Sequence, residues 1–85
     1  MATATPSPTP NPDAMKYSLD TTLAEMMNVA NEEAAASNPF AARLFAAGGV
    51  KSVFGTADFV TVTREPGADW EPITAAVQAA AAEYL

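Results

Sequence analysis

The stretch Val50-Lys51-Ser52-Val53-Phe54-Gly55-Thr56-Ala57-Asp58-Phe59-Val60-Thr61-Val62-Thr63-Arg64 holds two β-rich runs, Val50 to Phe54 and Phe59 to Arg64. Gly55-Thr56-Ala57-Asp58 lies between them, and this spacing predicts a hairpin with a four-residue loop. In the second run Phe59, Thr61 and Thr63 oppose Val60 and Val62. Such alternation marks a strand with one face in the core and one that water can reach.

Before the hairpin, Gly48-Gly49 ends a helix whose start is signalled by Ser37-Asn38-Pro39, with Ser37 as the cap candidate. Phe40, Leu44 and Ala47 recur at helical spacing in between, with Phe45 beside them. Asn31 to Ala36 reads as a short helical turn, with Glu32 and Glu33 where the helix dipole favours acids. Leu23 to Ala30 fits either a helix stripe or a strand, and periodicity alone leaves both open. Met26 and Met27 point to opposite faces if that segment is a strand, which exposes one of them as an adaptable contact. Met15, Tyr17 and Leu19 alternate with Lys16 and Ser18, the pattern of a half-buried strand closed by Asp20-Thr21-Thr22.

After the hairpin, Glu65-Pro66-Gly67-Ala68 is a turn and Asp69 stands at the cap of a last helix. Trp70, Ile73, Val77, Ala80 with Ala81, and Tyr84 keep one apolar stripe to the end of the chain. Pro72 falls in the first turn, where a missing amide donor costs nothing. Two helices on one face of a three- or four-stranded sheet make a two-layer α+β domain.

Residues 1–8 carry alternating prolines among small polar residues and read as a disordered tail. The domain is then residues 9–85, a size that buries only about 60% of its unfolded surface. Of the 49% hydrophobic residues, twenty are Ala, so nearly all of the larger apolar side chains are needed for the core. Little is left to line a deep apolar pocket of the kind that houses small-molecule catalysis.

The chain contains neither Cys nor His. That removes disulfides, common zinc sites and Cys-ligated clusters within these residues, so no intrinsic cofactor is expected. It also leaves Ser37, Ser52, Thr61 and Thr63 without an imidazole base, with Lys16 and Lys51 the only side-chain amines, so an enzyme is not expected. Asp13, Glu32, Glu33, Asp58, Glu65, Asp69 and Glu71 offer oxygen ligands, but no loop has calcium-loop spacing, and a solvated face explains them. The net charge of −6 disfavours nucleic acid and anionic membranes as partners. Nothing reads as a signal peptide or a bilayer-spanning run, which suggests a cytoplasmic placement.

Several motifs resemble one family. Thr9-Pro10-Asn11-Pro12-Asp13-Ala14-Met15-Lys16-Tyr17 is similar to the opening of the N-terminal domain of Nfu-type (NifU-like) iron–sulfur cluster scaffold proteins. Asn38-Pro39-Phe40-Ala41-Ala42-Arg43-Leu44-Phe45 and Gly49-Val50-Lys51-Ser52-Val53-Phe54 resemble that domain's middle. Asp58 to Arg64 and Ala68-Asp69-Trp70 resemble its ending. The resemblance implies a strand at Ala24 to Val29, and so a sheet of about four strands in the order β-β-α-β-β-α. It also implies that Thr9 to Asp13 leads directly into the first strand. Scaffolds of the family carry a second domain with a Cys-x-x-Cys motif that binds the cluster, and these residues include no such motif, as in a stand-alone N-terminal domain.

What the resemblance implies here is the accessory role: docking of client or assembly proteins in iron–sulfur cluster assembly, without ligating the cluster. Asn11, Pro12, Lys16, Arg43, Phe54 and Trp70 are the expected docking residues, because they belong to the matching motifs yet include polar and turn residues that a core does not require. Each also has a plain structural role available, such as a turn at Asn11-Pro12 or an ion pair at Arg43. The alternative is a small acidic protein that binds iron ion or another ligand through carboxylates, Glu32 and Glu33 among them.

Overall fold

A computed structural model describes residues 3–9, 13–23, 26–31 and 33–85. In chain order the elements are β1 (Ala4–Pro8), β2 (Ala14–Leu19), β3 (Met27–Val29), a 3₁₀ turn (Ala34–Ser37), α1 (Pro39–Ala46), β4 (Val50–Thr56), β5 (Phe59–Arg64) and α2 (Trp70–Tyr84). The strands form one antiparallel sheet in the order β1-β2-β5-β4-β3, and the helices pack on one of its faces. The fold is the expected α+β two-layer arrangement, with five strands in place of four.

The fifth strand comes from the tail. Ala4 to Pro8, expected to be disordered within residues 1–8, pairs with β2 from Ala4 opposite Leu19 to Pro8 opposite Met15. A strand at the sheet edge needs donors on only one side, so Pro6 is tolerated there although it has no N–H. Ala4 is buried, and the Gln78 side chain of α2 donates to its carbonyl, so the strand is held from the helix layer as well.

The hairpin is tighter than expected. β4 continues through Gly55 and Thr56, Thr56 pairs with Phe59, and only Ala57 and Asp58 make the turn. Gly55 can stay in the strand because its missing side chain makes room on the covered face. A Cβ built there would lie 3.0 Å from Leu23 Cδ1 and 3.3 Å from Val60 Cγ2. The turn is closed by Ala57 at φ 53°, a conformation uncommon for a residue with a Cβ. Its carbonyl accepts from the Leu23 amide, and that of Asp58 accepts from Leu19.

Alternation decides which side chains are covered. Val60 and Val62 of β5 and Tyr17 of β2 are 0% exposed, and they meet Val53, Phe40, Leu44, Ile73 and Val77 in the core. Burying each such side chain is worth roughly 1.5–3 kcal/mol, which makes this face the source of the fold's stability. Ala41, Ala80 and Ala81 are fully buried too, and their small size lets α1 and α2 approach each other closely. The Tyr17 hydroxyl reaches Thr74 Oγ1 at 2.9 Å, so the one phenol in the core keeps a polar partner.

Three bulky apolar residues are exposed: Met26 and Phe54, in keeping with a surface contact, and Tyr84, which the helix stripe places toward the core. Met26 lies beside buried Met27, the opposite-face pair expected of a strand. Ala24, Glu25 and Glu32 lie outside the described residues, so the second strand is seen only as Met27–Val29. Residues 10–12, the expected lead into the first strand, also lie outside them. The cap of α1 is Asn38 rather than Ser37: Asn38 Oδ1 accepts from the Ala41 amide, and Pro39 opens the helix. Ser37 closes the 3₁₀ turn, whose Ala34 amide donates to Asn31 Oδ1. Asp69 stands at the cap position of α2 without a side-chain cap bond.

Candidate partner interface

The face of the sheet turned away from the helices carries Lys16, Ser18, Asn28, Ser52, Phe54, Thr56, Phe59, Thr61 and Thr63, the alternates of the buried set. Pairing brings four of its residues into one line across the strands. Lys16 is opposite Thr61, Thr61 is opposite Phe54, and Phe54 is opposite Asn28. Lys16 Nζ lies 4.6 Å from the centre of the Phe59 ring, an arrangement in which the ring face attracts the ammonium by about 0.5–1 kcal/mol. Phe54 is 38% exposed although it sits in the middle of a strand.

Charge is distributed unevenly over this frame. Among the described residues every Asp and Glu falls outside the five strands, whereas Lys16, Lys51 and Arg64 lie within them. Among the described residues neither lysine has a carboxylate within ion-pair distance. Lys51 is exposed and is the extra residue of the bulge between Val50 and Ser52. The surface of the described residues shows no pocket.

The six expected docking residues do not form one patch. Lys16 and Phe54 share the open face, one strand apart. Arg43 lies on the helix layer and pairs with Glu83 of α2, a surface ion pair that contributes no more than about 1 kcal/mol. Trp70 is half-buried under Arg64, whose Cζ is 5.3 Å from the indole centre. Arg64 Nε also lies 3.1 Å from Asp13 Oδ1, and Arg64 Nη1 donates to the Ala68 carbonyl. This group ties the entry to β2, the end of β5 and the start of α2 together, so Trp70 has a structural role. Asn11 and Pro12 lie outside the described residues.

Sequence reasoning passed over Phe59 and Thr61 as interface residues. The signal for them was present, since the alternation from Phe59 to Thr63 marks them as the wet side of their strand. For Asn28 and Arg64 no local pattern existed, because their neighbours come from other strands. As for metal, the described residues contain no group of three or more Asp and Glu that could hold an ion, and Asp13 faces Arg64. Among the described residues no helix is long and apolar enough to cross a membrane.

A family model described as the N-terminal part of the scaffold protein Nfu/NifU matches residues 5–85. The mitochondrial NFU1 iron-sulfur cluster scaffold homolog of Drosophila erecta is 38% identical over 80 residues, covering 91% of this chain and 28% of that protein. The mitochondrial NifU-like protein 5 of Arabidopsis thaliana is 37% identical over 65 residues, covering 74% of this chain and 24% of that protein. The chain therefore spans less than a third of the length of these relatives. The crystal structure of protein SAV1430 from Staphylococcus aureus has a TM-score of 0.76 at 29% identity, covering 92% of this chain and 96% of that one. A NifU-like protein from Saccharomyces cerevisiae has the same fold, with a TM-score of 0.78 at 20% identity over 94% of this chain and 75% of that one. The motifs at Thr9, Asn38 and Asp58 thus have their counterpart in a match over nearly the whole length: the chain belongs to the Nfu/NifU N-terminal family.

Proposed function

We propose that this domain is an accessory protein-interaction module in iron–sulfur cluster assembly or delivery, docking clients or assembly factors without ligating the cluster and without catalysing a reaction of its own. One observation carries the reading: a member of a scaffold family whose 85 residues include no thiolate and no imidazole. A cluster is cargo here, and its usual sulfur or nitrogen ligands come from elsewhere. The described residues form no pocket, and their open, uncharged-to-basic sheet face suits contact with another protein better than capture of a small molecule.

Two measurements test this. The purified chain, incubated anaerobically with ferrous iron and sulfide and then desalted, should be colourless; a stable cluster with no exogenous thiol bound would overturn the reading. The tagged domain, isolated from its native host, should recover identified iron–sulfur proteins or cluster-assembly proteins. Recovery of none would also overturn it.

A further inference from the structure

We infer that the open face of the sheet is the docking surface and that it takes an acidic protein segment bearing an apolar side chain. The carboxylate would sit at Lys16 and the apolar group would sit on Phe54. This deepens the proposed role and rests on it for the kind of partner.

Charge complementarity selects the occupant. An acidic partner is repelled by a chain of net charge −6 at long range, so only local sign can favour it. Exposed charges are largely screened beyond about 8 Å at physiological ionic strength. Asp20 and Asp58 lie at the turn end of the strands, three to four residues from the Lys16 line, or roughly 10–13 Å at strand spacing. Asp13, at the other end, faces Arg64. Glu71 and Glu83 belong to α2, in the layer behind the sheet. Lys16 lies on this face itself and Lys51 at its bulged edge, so beside the carboxylates just placed the local sign over the Lys16 line is positive, and a carboxylate brought there meets attraction at short range.

Shape and composition fit the same occupant. Lys16 and Phe54 are separated by one strand, roughly 10 Å at the spacing of a sheet. Thr61 between them and Asn28 beyond offer hydrogen-bonding groups that the backbone of a docked segment can pair, as their burial requires. Phe59 under Lys16 holds the ammonium against the sheet, which lowers the entropy lost on pairing. The β1 edge is a poorer site for strand addition, since Pro6 has no N–H to offer.

The test is a two-dimensional amide NMR titration of the isotope-labelled chain. The probe is a synthetic peptide of Glu and Ala with one central Leu, and the control is its counterpart with Lys in place of Glu. The acidic peptide should shift the amides of Lys16, Phe54, Phe59 and Thr61, and the basic peptide should not. Lys16→Glu and Phe54→Ser should each weaken binding about tenfold. Arg43→Ala should leave it unchanged, with amide dispersion reporting that all three variants fold.

Equal response to both peptides, shifts confined to the helix layer, or shifts that follow the chain's own concentration and so indicate a second copy would each overturn the proposal. Its failure is separable from failure of the functional reading. If Lys16→Glu and Phe54→Ser still recover iron–sulfur proteins from the host, the surface is wrong and the role stands. If the acidic peptide binds as expected but no such protein is recovered, the role is wrong and the surface stands.

Discussion

The two faces of the sheet are made by alternate residues of the same strands and behave as different materials. On β5, Val60 and Val62 are fully buried against the helices, while Phe59, Thr61 and Thr63 stay partly open. On β4, Val53 is buried and its neighbour Phe54 is exposed. The covered face is apolar, closely packed and intolerant of volume changes. The open face holds hydroxyls, two phenyl rings and an ammonium that lies over one of those rings, and the fold asks little of it. Stability is concentrated on one side of the sheet, which leaves the other free to be specified by a partner.

Adjacent substitutions on β5 break this comparison most sharply. Val62→Asp places an unpaired carboxylate in the core at a cost above roughly 3 kcal/mol. A domain of this length has total stability on the order of 4–12 kcal/mol, so urea unfolding followed by circular dichroism should show a large fraction of that stability lost. Thr61→Asp, one residue away, should change stability by less than about 1 kcal/mol. Equal losses at the two positions would show that both faces are packed.

Gly55→Ala probes how tightly the covered face is filled. The added methyl would meet Leu23 Cδ1 at 3.0 Å, Val60 Cγ2 at 3.3 Å and Met27 Cβ at 3.4 Å. Leu23 can turn aside, but Val60 is locked in the core, so urea unfolding should register a loss of about 1–3 kcal/mol. An unchanged midpoint would mean that the face has slack.

Tyr17→Phe is smaller and depends on pH. Burial raises the Tyr17 phenol above its ordinary 10.0, a shift only partly offset by the bond to Thr74. Above pH 10 the unfolded chain loses this proton while the folded chain keeps it, so folding stability falls as pH rises through the folded pKa. That alkaline loss should be absent in Tyr17→Phe, apart from any contribution of other groups. At neutral pH the variant should lose about 1 kcal/mol with the hydrogen bond to Thr74. Arg43→Ala should have the smallest effect, below about 1 kcal/mol and vanishing in high salt, because the Glu83 pair is exposed.

How far the molecule could be read beforehand depends on the range of each signal. The alternation at Phe59 to Arg64, the stripe from Trp70 to Ala81 and the stop at Gly48-Gly49 are local, and each element is where these patterns put it. The tail is not legible locally for a related reason. Alternating prolines argue against an interior strand, but nothing within residues 1–8 tells that β2 has an unpaired edge to offer. The hairpin loop is shorter than its sequence suggests because Gly55, a turn residue by type, is held in the strand beside Leu23 and Val60. Lys16 and Phe54 were singled out separately, and only the register of β2, β5 and β4 makes them neighbours across Thr61.

The linear chain determined its two-layer class, its helix ends, its acidity and its lack of soft metal ligands, since these follow from residue type and short-range period. Strand order, the inclusion of the proline strand, the segregation of lysines from carboxylates and the division of Arg43 and Trp70 from the open face were decided only in three dimensions. They arise from hydrogen-bond register between residues tens of positions apart, a quantity that no local pattern contains.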